Sequence, residues 1–145
     1  MARPGTVAAT RAWRQWHCCR VPQIDLVDAT WIAAAPQAVA DIVADQRNWA
    51  VWWPGMKLAV ERFRGVQGVQ WQVLHCHEFA RKPTAGSMEI WIEAAEEGAT
   101  LHYFLRLDGA EGALRPAAAK RAQKRHAHRA KQNFWAVKDH LEQAR

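Results

Sequence analysis

Cysteine is scarce in this sequence, and long apolar runs are absent. The chain has three cysteines, Cys18, Cys19 and Cys76, and an odd number with two adjacent thiols excludes a disulfide framework. No segment approaches the roughly 20 consecutive apolar residues of a membrane-spanning helix. The N-terminal residues also lack the apolar segment of a secretory signal peptide. We therefore expect a cytoplasmic protein without a membrane span.

Acidic residues are nearly absent from both ends of the chain. Residues 1–20 contain four arginines and no acid, residues 21–114 contain seven bases and twelve acids, and residues 115–145 contain nine bases and two acids. This distribution argues against a nucleic-acid binder that is basic throughout, although a single basic surface stays open. The length of 145 residues suits one domain. We expect that domain at residues 21–145, after a basic N-terminal arm whose order or disorder is left open.

The spacing of apolar residues predicts an α+β fold. Residues 23–34 have the composition of a strand, Pro36 begins a helix, and a second short helix or tight turn follows at residues 45–55. Four further strands are predicted at residues 57–64, 69–77, 86–94 and 99–108. Pro116 then begins a long helix that runs to about residue 143.

A turn at Glu97-Gly98 predicts the register of the last two strands. The opposed pairs on one face are then Glu93–His102, Trp91–Phe104 and Glu89–Arg106, and those on the other face are Ile92–Tyr103, Ile90–Leu105 and Met88–Leu107. We expect the aliphatic face to pack on the long helix and the charged, aromatic face to contact solvent.

The order of these elements resembles the START-like helix-grip superfamily (SRPBCC), which includes polyketide cyclases/dehydrases and lipid-transport proteins. The chain looks most like small actinobacterial members. The resemblance lies between residues 23 and 142 and is carried by AAAPQAVADIVAD, NWAVWWPG, RGVQGVQW, GSMEIWIE, LHYFLR and FWAVKDHLE. It implies a curved antiparallel sheet wrapped around the C-terminal helix, with an apolar-ligand cavity between them. This chain has four predicted strands after the short helices where the family has six, so the sheet and its cavity are expected to be smaller.

The C-terminal helix has one side suited to the sheet. At about 100° per residue, a single arc contains Ala119, Ala122, His126, Ala130, Asn133, Phe134, Val137 and Leu141. Alanines in its first half leave space against a sheet, whereas the larger residues of the second half fill it. His126 then points inward, either as a core histidine or as a ligand contact.

Binding of a small apolar or aromatic ligand, lipid-like or polyketide-like, is the first functional hypothesis. The residues predicted to line the cavity are Trp53, Met56, Trp71, Met88, Ile90, Tyr103, Leu105, His126 and Ala130. The second hypothesis is a cyclase or dehydratase with His126 or Tyr103 as general acid or base, although no catalytic constellation stands out.

The third hypothesis is a nucleic-acid or acidic-partner module that uses the other side of the C-terminal helix. That side carries Lys120, Lys124, His128, Lys131 and Trp135, with Arg121 and Arg125 beside it. Such a side can hold phosphates and stack a base, or it can simply be solvated. His75 and His77 point the same way on a strand but lack a clear third ligand, so neither a metal nor another cofactor is expected.

Overall fold

The elements follow one another in the order that the sequence predicts. The computed structural model describes residues 21–77 and 81–144, and the N-terminal arm predicted at residues 1–20 lies outside them. The strands are β1 (Ile24–Ile32), β2 (Met56–Phe63), β3 (Gly68–Cys76), β4 (Thr84–Ala95) and β5 (Gly98–Gly109), and the helices are α1 (Pro36–Ala44), α2 (Gln46–Trp52) and α3 (Pro116–Gln143). None of these described helices is long and apolar enough to span a bilayer.

The five strands form one antiparallel sheet in the order β1-β5-β4-β3-β2. Pro36 and Pro116 occupy the first turn of α1 and α3, where the missing N–H costs no hydrogen bond. Asp45 caps α2 by accepting a bond from the backbone N–H of Arg47 at 3.0 Å. The predicted α+β architecture, an antiparallel sheet with one long C-terminal helix, is confirmed.

The register of the last hairpin differs from the prediction by two residues. Ala95 pairs with Gly98, so the turn is Glu96-Glu97, and Glu97 adopts a φ of 57°. Gly98 instead lies in β5, where an added Cβ would lie 2.3 Å from the carbonyl oxygen of Ile32 on β1. Glycine is therefore needed here for close packing between strands, and the sequence signal was wrongly assigned to the turn.

A shift of two residues leaves every side chain on its predicted face. The observed aliphatic pairs are Ile92–Leu101, Ile90–Tyr103 and Met88–Leu105. All of these residues are buried, whereas Glu93 and Arg106 on the other face are exposed. The predicted opposition of Glu89 and Arg106 is wrong, because Glu89 lies opposite Phe104 and binds Arg64. Glu93 lies diagonal to His102 and still meets its ring at 3.0 Å.

Side chains of α3 form hydrogen bonds with the open edge of β1 and with Ala33, the residue that follows it. The bonds are Asp25 N–H to Gln123 Oε1 (3.2 Å), Lys131 Nζ to Ala29 O (3.1 Å), Lys138 Nζ to Trp31 O (3.0 Å) and Ala33 N–H to Glu142 Oε1 (3.0 Å). An edge strand otherwise presents unpaired peptide groups that can recruit another chain. This contact fixes α3 along β1 and covers part of that edge.

Lys131 is also the partner of an inward-facing acid. Its Nζ lies 2.7 Å from Oδ1 of Asp28, and both side chains are largely shielded from solvent. Lys131 therefore fits neither alternative considered for this side of the helix, a phosphate-binding side or a solvated one, because its ammonium group is bound to β1. The acid that attracts Lys131 lies on β1, about a hundred residues away in sequence, so the helical pattern alone did not indicate it.

We predict that Lys131→Met lowers the free energy of unfolding by about 1–2 kcal/mol. The change removes the bonds to β1 and leaves the Asp28 carboxylate shielded without its cation, and Oδ2 of Asp28 already has no hydrogen-bond partner among the described residues. Urea denaturation measures the effect. Lys124→Met, at an exposed position of the same helix, is the control and should change stability by less than about 0.5 kcal/mol. Equal losses in the two variants would contradict the assigned role.

Candidate functional site

The residues predicted to line a cavity meet on the inner face of the sheet. Eight of them are buried, namely Trp53, Trp71, Met88, Ile90, Tyr103, Leu105, His126 and Ala130, and Met56 is half-buried. Across the strands, Trp71 lies opposite Met88, which lies opposite Leu105 on the next strand. His126 and Ala130 belong to the side of α3 that is buried against the rest of the protein. Their role in ligand binding stays a prediction.

Three rings form an aromatic cluster at this site: Trp53, Tyr103 and Phe134. The indole of Trp53 stacks on the ring of Tyr103, with centroids 5.3 Å apart and an angle of 8° between the planes. Phe134 of α3 meets Trp53 and Tyr103 edge-on, at 6.2 Å and 5.2 Å. The arc of α3 predicted Phe134 to face the sheet, but its place among these rings was not predicted.

Polar groups lie inside this apolar region. Tyr103 donates its hydroxyl to Sδ of Met88 at 3.3 Å, and a thioether is a weak acceptor. The indole N–H groups of Trp53 and Trp71 are buried and have no hydrogen-bond partner among the described residues. By contrast, Trp49 donates its indole N–H to the carbonyl oxygen of Val43 at 2.7 Å. Two indole donors thus lie in the core without an acceptor among the described residues.

His126 lies on the buried side of α3 and has no exposed surface. Burial lowers its pKa from 6.5 to about 3, because the cationic ring loses its hydration. The imidazole is therefore neutral near pH 7 and a poor base. It suits hydrogen bonding better than proton transfer at that pH.

The first half of α3 is built on small residues. Ala119 and Ala122 are buried beside His126, as the arc predicted. Two pockets open to solvent along the flanks of this half, with volumes of about 560 and 670 Å³. The first lies against β1, with Leu26 and Ala127 in its wall. The second is lined by basic side chains from α3 and from the segment before β4. Neither was predicted as a pocket, because the helical pattern does not show how α3 lies against β1 and the segment before β4.

The other motifs of the sequence lie at the surface or at strand ends. The rings of His75 and His77 are 4.0 Å apart, at an angle of 80°. In residues 21–77 and 81–144, no three His, Cys, Asp or Glu side chains are arranged to hold a metal. Trp135 is 57% exposed on the outer side of α3, the side on which the helical pattern placed it.

Solved structures share this arrangement of sheet and helix. The di-domain ARO/CYC StfQ from the steffimycin biosynthetic pathway matches with a TM-score of 0.60 and 13% identity, over 83% of this chain and 52% of that one. The chain has the START-like helix-grip fold. It spans about half the length of StfQ, and at this identity the likeness establishes the fold and not an activity.

Two further structures match with lower scores. A START superfamily protein from Mycobacterium smegmatis gives a TM-score of 0.47 at 15% identity, over 83% of this chain and 99% of that one. Ara h 8.0201 gives 0.46 at 12% identity, over 82% and 97% of the two chains. No family model and no curated protein matches the sequence.

The lowered pKa of His126 predicts a specific loss of stability in acid. In the unfolded chain the ring takes up a proton near pH 6.5, whereas in the folded protein it does so only near pH 3. The free energy of unfolding should therefore fall as the pH drops from 6.5 towards 3, by up to about 1.4 kcal/mol per pH unit from this residue. Urea denaturation at a series of pH values measures it.

His126→Leu should remove this part of the pH dependence. His128→Leu is the control, because His128 is exposed on the same helix and should leave the slope unchanged. A pH profile of the His126 variant that runs parallel to that of the wild type would contradict the assignment.

Proposed function

We propose that the protein binds a small aromatic or apolar ligand, polyketide-like or lipid-like, between the sheet and α3. The observation that carries the proposal is the pair of buried indole N–H groups of Trp53 and Trp71, which have no acceptor among the described residues. A ligand with a hydrogen-bond acceptor would give these donors their partner.

The free-energy cost of burying an unpaired indole N–H favours a ligand that carries a hydrogen-bond acceptor. A buried donor without a partner destabilises a protein by about 1–3 kcal/mol, and most buried polar groups are paired. Both indoles are almost completely shielded from solvent. A carbonyl oxygen can accept from an indole N–H, and ring systems of polyketide type carry carbonyl groups next to flat apolar surface.

The surrounding side chains suit a flat, largely apolar molecule. The aromatic cluster of Trp53, Tyr103 and Phe134 offers ring faces and edges, and Met88 and Ile90 supply aliphatic surface. Tyr103 can exchange its bond to the thioether for a stronger acceptor on the ligand. His126, neutral near pH 7, adds a polar contact without a buried charge.

Entry to the site needs a movement, because the predicted lining is shielded from solvent. This movement would disturb the fewest packing contacts at the first half of α3. Its inward residues Ala119 and Ala122 are small, and solvent-open pockets already lie on both of its flanks. We propose that a ligand enters beside this half of the helix, while the aromatic cluster under the second half stays in place.

The same geometry gives less support to a cyclase or dehydratase. His126 with a pKa of about 3 is a poor base near neutral pH. The hydroxyl of Tyr103 is directed to the sulfur of Met88. We therefore propose binding rather than catalysis for this site, with Tyr103 and His126 as groups that orient the ligand.

A matched pair of ligands tests the proposal: 2-acetylnaphthalene, which has a carbonyl oxygen, and 2-ethylnaphthalene, which does not. The wild type should bind the ketone more tightly. Trp53→Phe and Trp71→Phe should each weaken ketone binding by about two- to tenfold, the value of one hydrogen bond, and leave the hydrocarbon almost unaffected. Isothermal titration calorimetry gives the dissociation constants.

Trp135→Phe is the control for this test, because it removes an exposed indole from the same protein. It should change neither affinity. If neither naphthalene binds the wild type, or if all variants bind the ketone equally, the proposed site is wrong. Native mass spectrometry of the purified protein provides an independent check, through a co-purifying small molecule that Trp53→Phe reduces.

A further inference from the structure

Five basic side chains line one pocket beside the beginning of α3. The pocket has a volume of about 670 Å³, and we call it the basic pocket; its cations are Arg81, Lys82, Arg115, Arg121 and Arg125. Leu114 and Ala118 provide its apolar wall. No acidic side chain of the described residues lines it.

The charges of the basic pocket are not compensated by the described part of the chain. None of the five cationic side chains forms an ion pair or hydrogen bond with a described residue. Other cations of the protein do have such partners, including Arg64 with Glu89 and Lys131 with Asp28. Like charges in one concave space repel one another, and an anion bound between them relieves that repulsion.

The cations come from two separate segments of the chain. Arg121 and Arg125 are one turn apart on α3, so their side chains leave the helix on the same side. Arg81 and Lys82 belong to the segment before β4. Guanidinium groups bind phosphate through paired N–H donors, and several around one space can hold a doubly charged anion. The first turn of α3 carries no acidic side chain that would repel a bound anion.

The structure divides the basic residues of α3 between its two flanks. Lys120 and Lys124 line the pocket against β1. Arg121 and Arg125 line the basic pocket. The sequence pattern placed Lys120 and Lys124 on one basic side, with Arg121 and Arg125 beside it, as a surface for nucleic acid or an acidic partner. Only the second pair lies in a concave space with further cations, which suits a small anion rather than a long polyanion.

We propose that the basic pocket binds a phosphate monoester with a small organic group. The five cations hold the phosphate, and Leu114 and Ala118 contact the organic part. This site is separate from the core site around Trp53 and Trp71, and it does not depend on the function proposed there.

Phenyl phosphate, titrated in a buffer free of phosphate and sulfate, is the probe for this site. We expect saturable binding that inorganic phosphate competes away and that phenol does not. Arg121→Gln/Arg125→Gln should weaken binding by about tenfold or more. The matched control is Lys120→Gln/Lys124→Gln, which removes the same charge at the same spacing on the other flank and should weaken binding by less than about twofold.

A second probe, monomeric dioctanoyl phosphatidic acid, tells a soluble phosphate ester from a lipid headgroup. The probe that binds more tightly identifies the source of the phosphate, a soluble ester or a lipid headgroup. Loss of that binding in the arginine double variant alone supports the phosphate site. All four substituted side chains are exposed, so circular dichroism melting curves should be unchanged and a loss of binding can be assigned to the site.

Three results would contradict the proposal that the basic pocket binds a phosphate monoester. The first is no binding of either probe to the wild type. The second is an equal loss in both double variants, which indicates general attraction to a positive surface. The third is a single-stranded oligonucleotide that binds more tightly than phenyl phosphate and depends on Lys120 and Lys124, which indicates the nucleic-acid surface instead.

Discussion

The attachment of α3 to the open edge of β1 is the contact on which the rest of the structure depends. Four side chains, from Gln123 to Glu142, bond peptide groups of β1 and its end, so the helix is held along one edge of the sheet. Only the bond of Gln123 is neutral, and the other three involve charged side chains. Each contributes on the order of 1 kcal/mol, but together they fix which side of the helix faces the sheet. Phe134 is thereby brought against Trp53 and Tyr103, and the first half of the helix is left with pockets on both flanks.

The core combines a large apolar surface with polar groups that it poorly accommodates. Burial of the aromatic cluster stabilises the fold, since each large ring contributes about 1.5–3 kcal/mol when buried. The indole N–H groups of Trp53 and Trp71 oppose this by about 1–3 kcal/mol each, and burial keeps His126 neutral. A protein selected only for stability would fill these positions with apolar side chains of similar size. The binding role that we propose for the core rests on the two indole donors, which have no acceptor among the described residues.

Local patterns were sufficient to predict the elements, but contacts distant in sequence were not predicted. Pro36 and Pro116 predicted where α1 and α3 begin. The alternation of apolar and polar residues predicted the buried face of β4 and β5. Both signals act within a few residues of the chain. The register was missed because the need for Gly98 arises from the carbonyl of Ile32 on another strand. The burial of the predicted lining residues could be read from periodicity, which fixes the side chains that point inward, whereas their role in ligand binding stays a prediction. The unpaired indole donors of the core and the basic pocket require the tertiary arrangement and could not be read from periodicity.

The basic residues of α3 do not lie on one surface of the folded protein, and this changes how the composition of the helix is interpreted. Lys131 and Lys138 bond β1 and hold the helix in place, so their charges are largely committed to the fold. Lys120 and Lys124 border the pocket against β1, and Arg121 and Arg125 belong to the basic pocket. The fold thus separates this charge run into two lysines that bond β1, two exposed lysines beside β1, and two arginines of the basic pocket, and the phosphate site that we propose rests on the last pair.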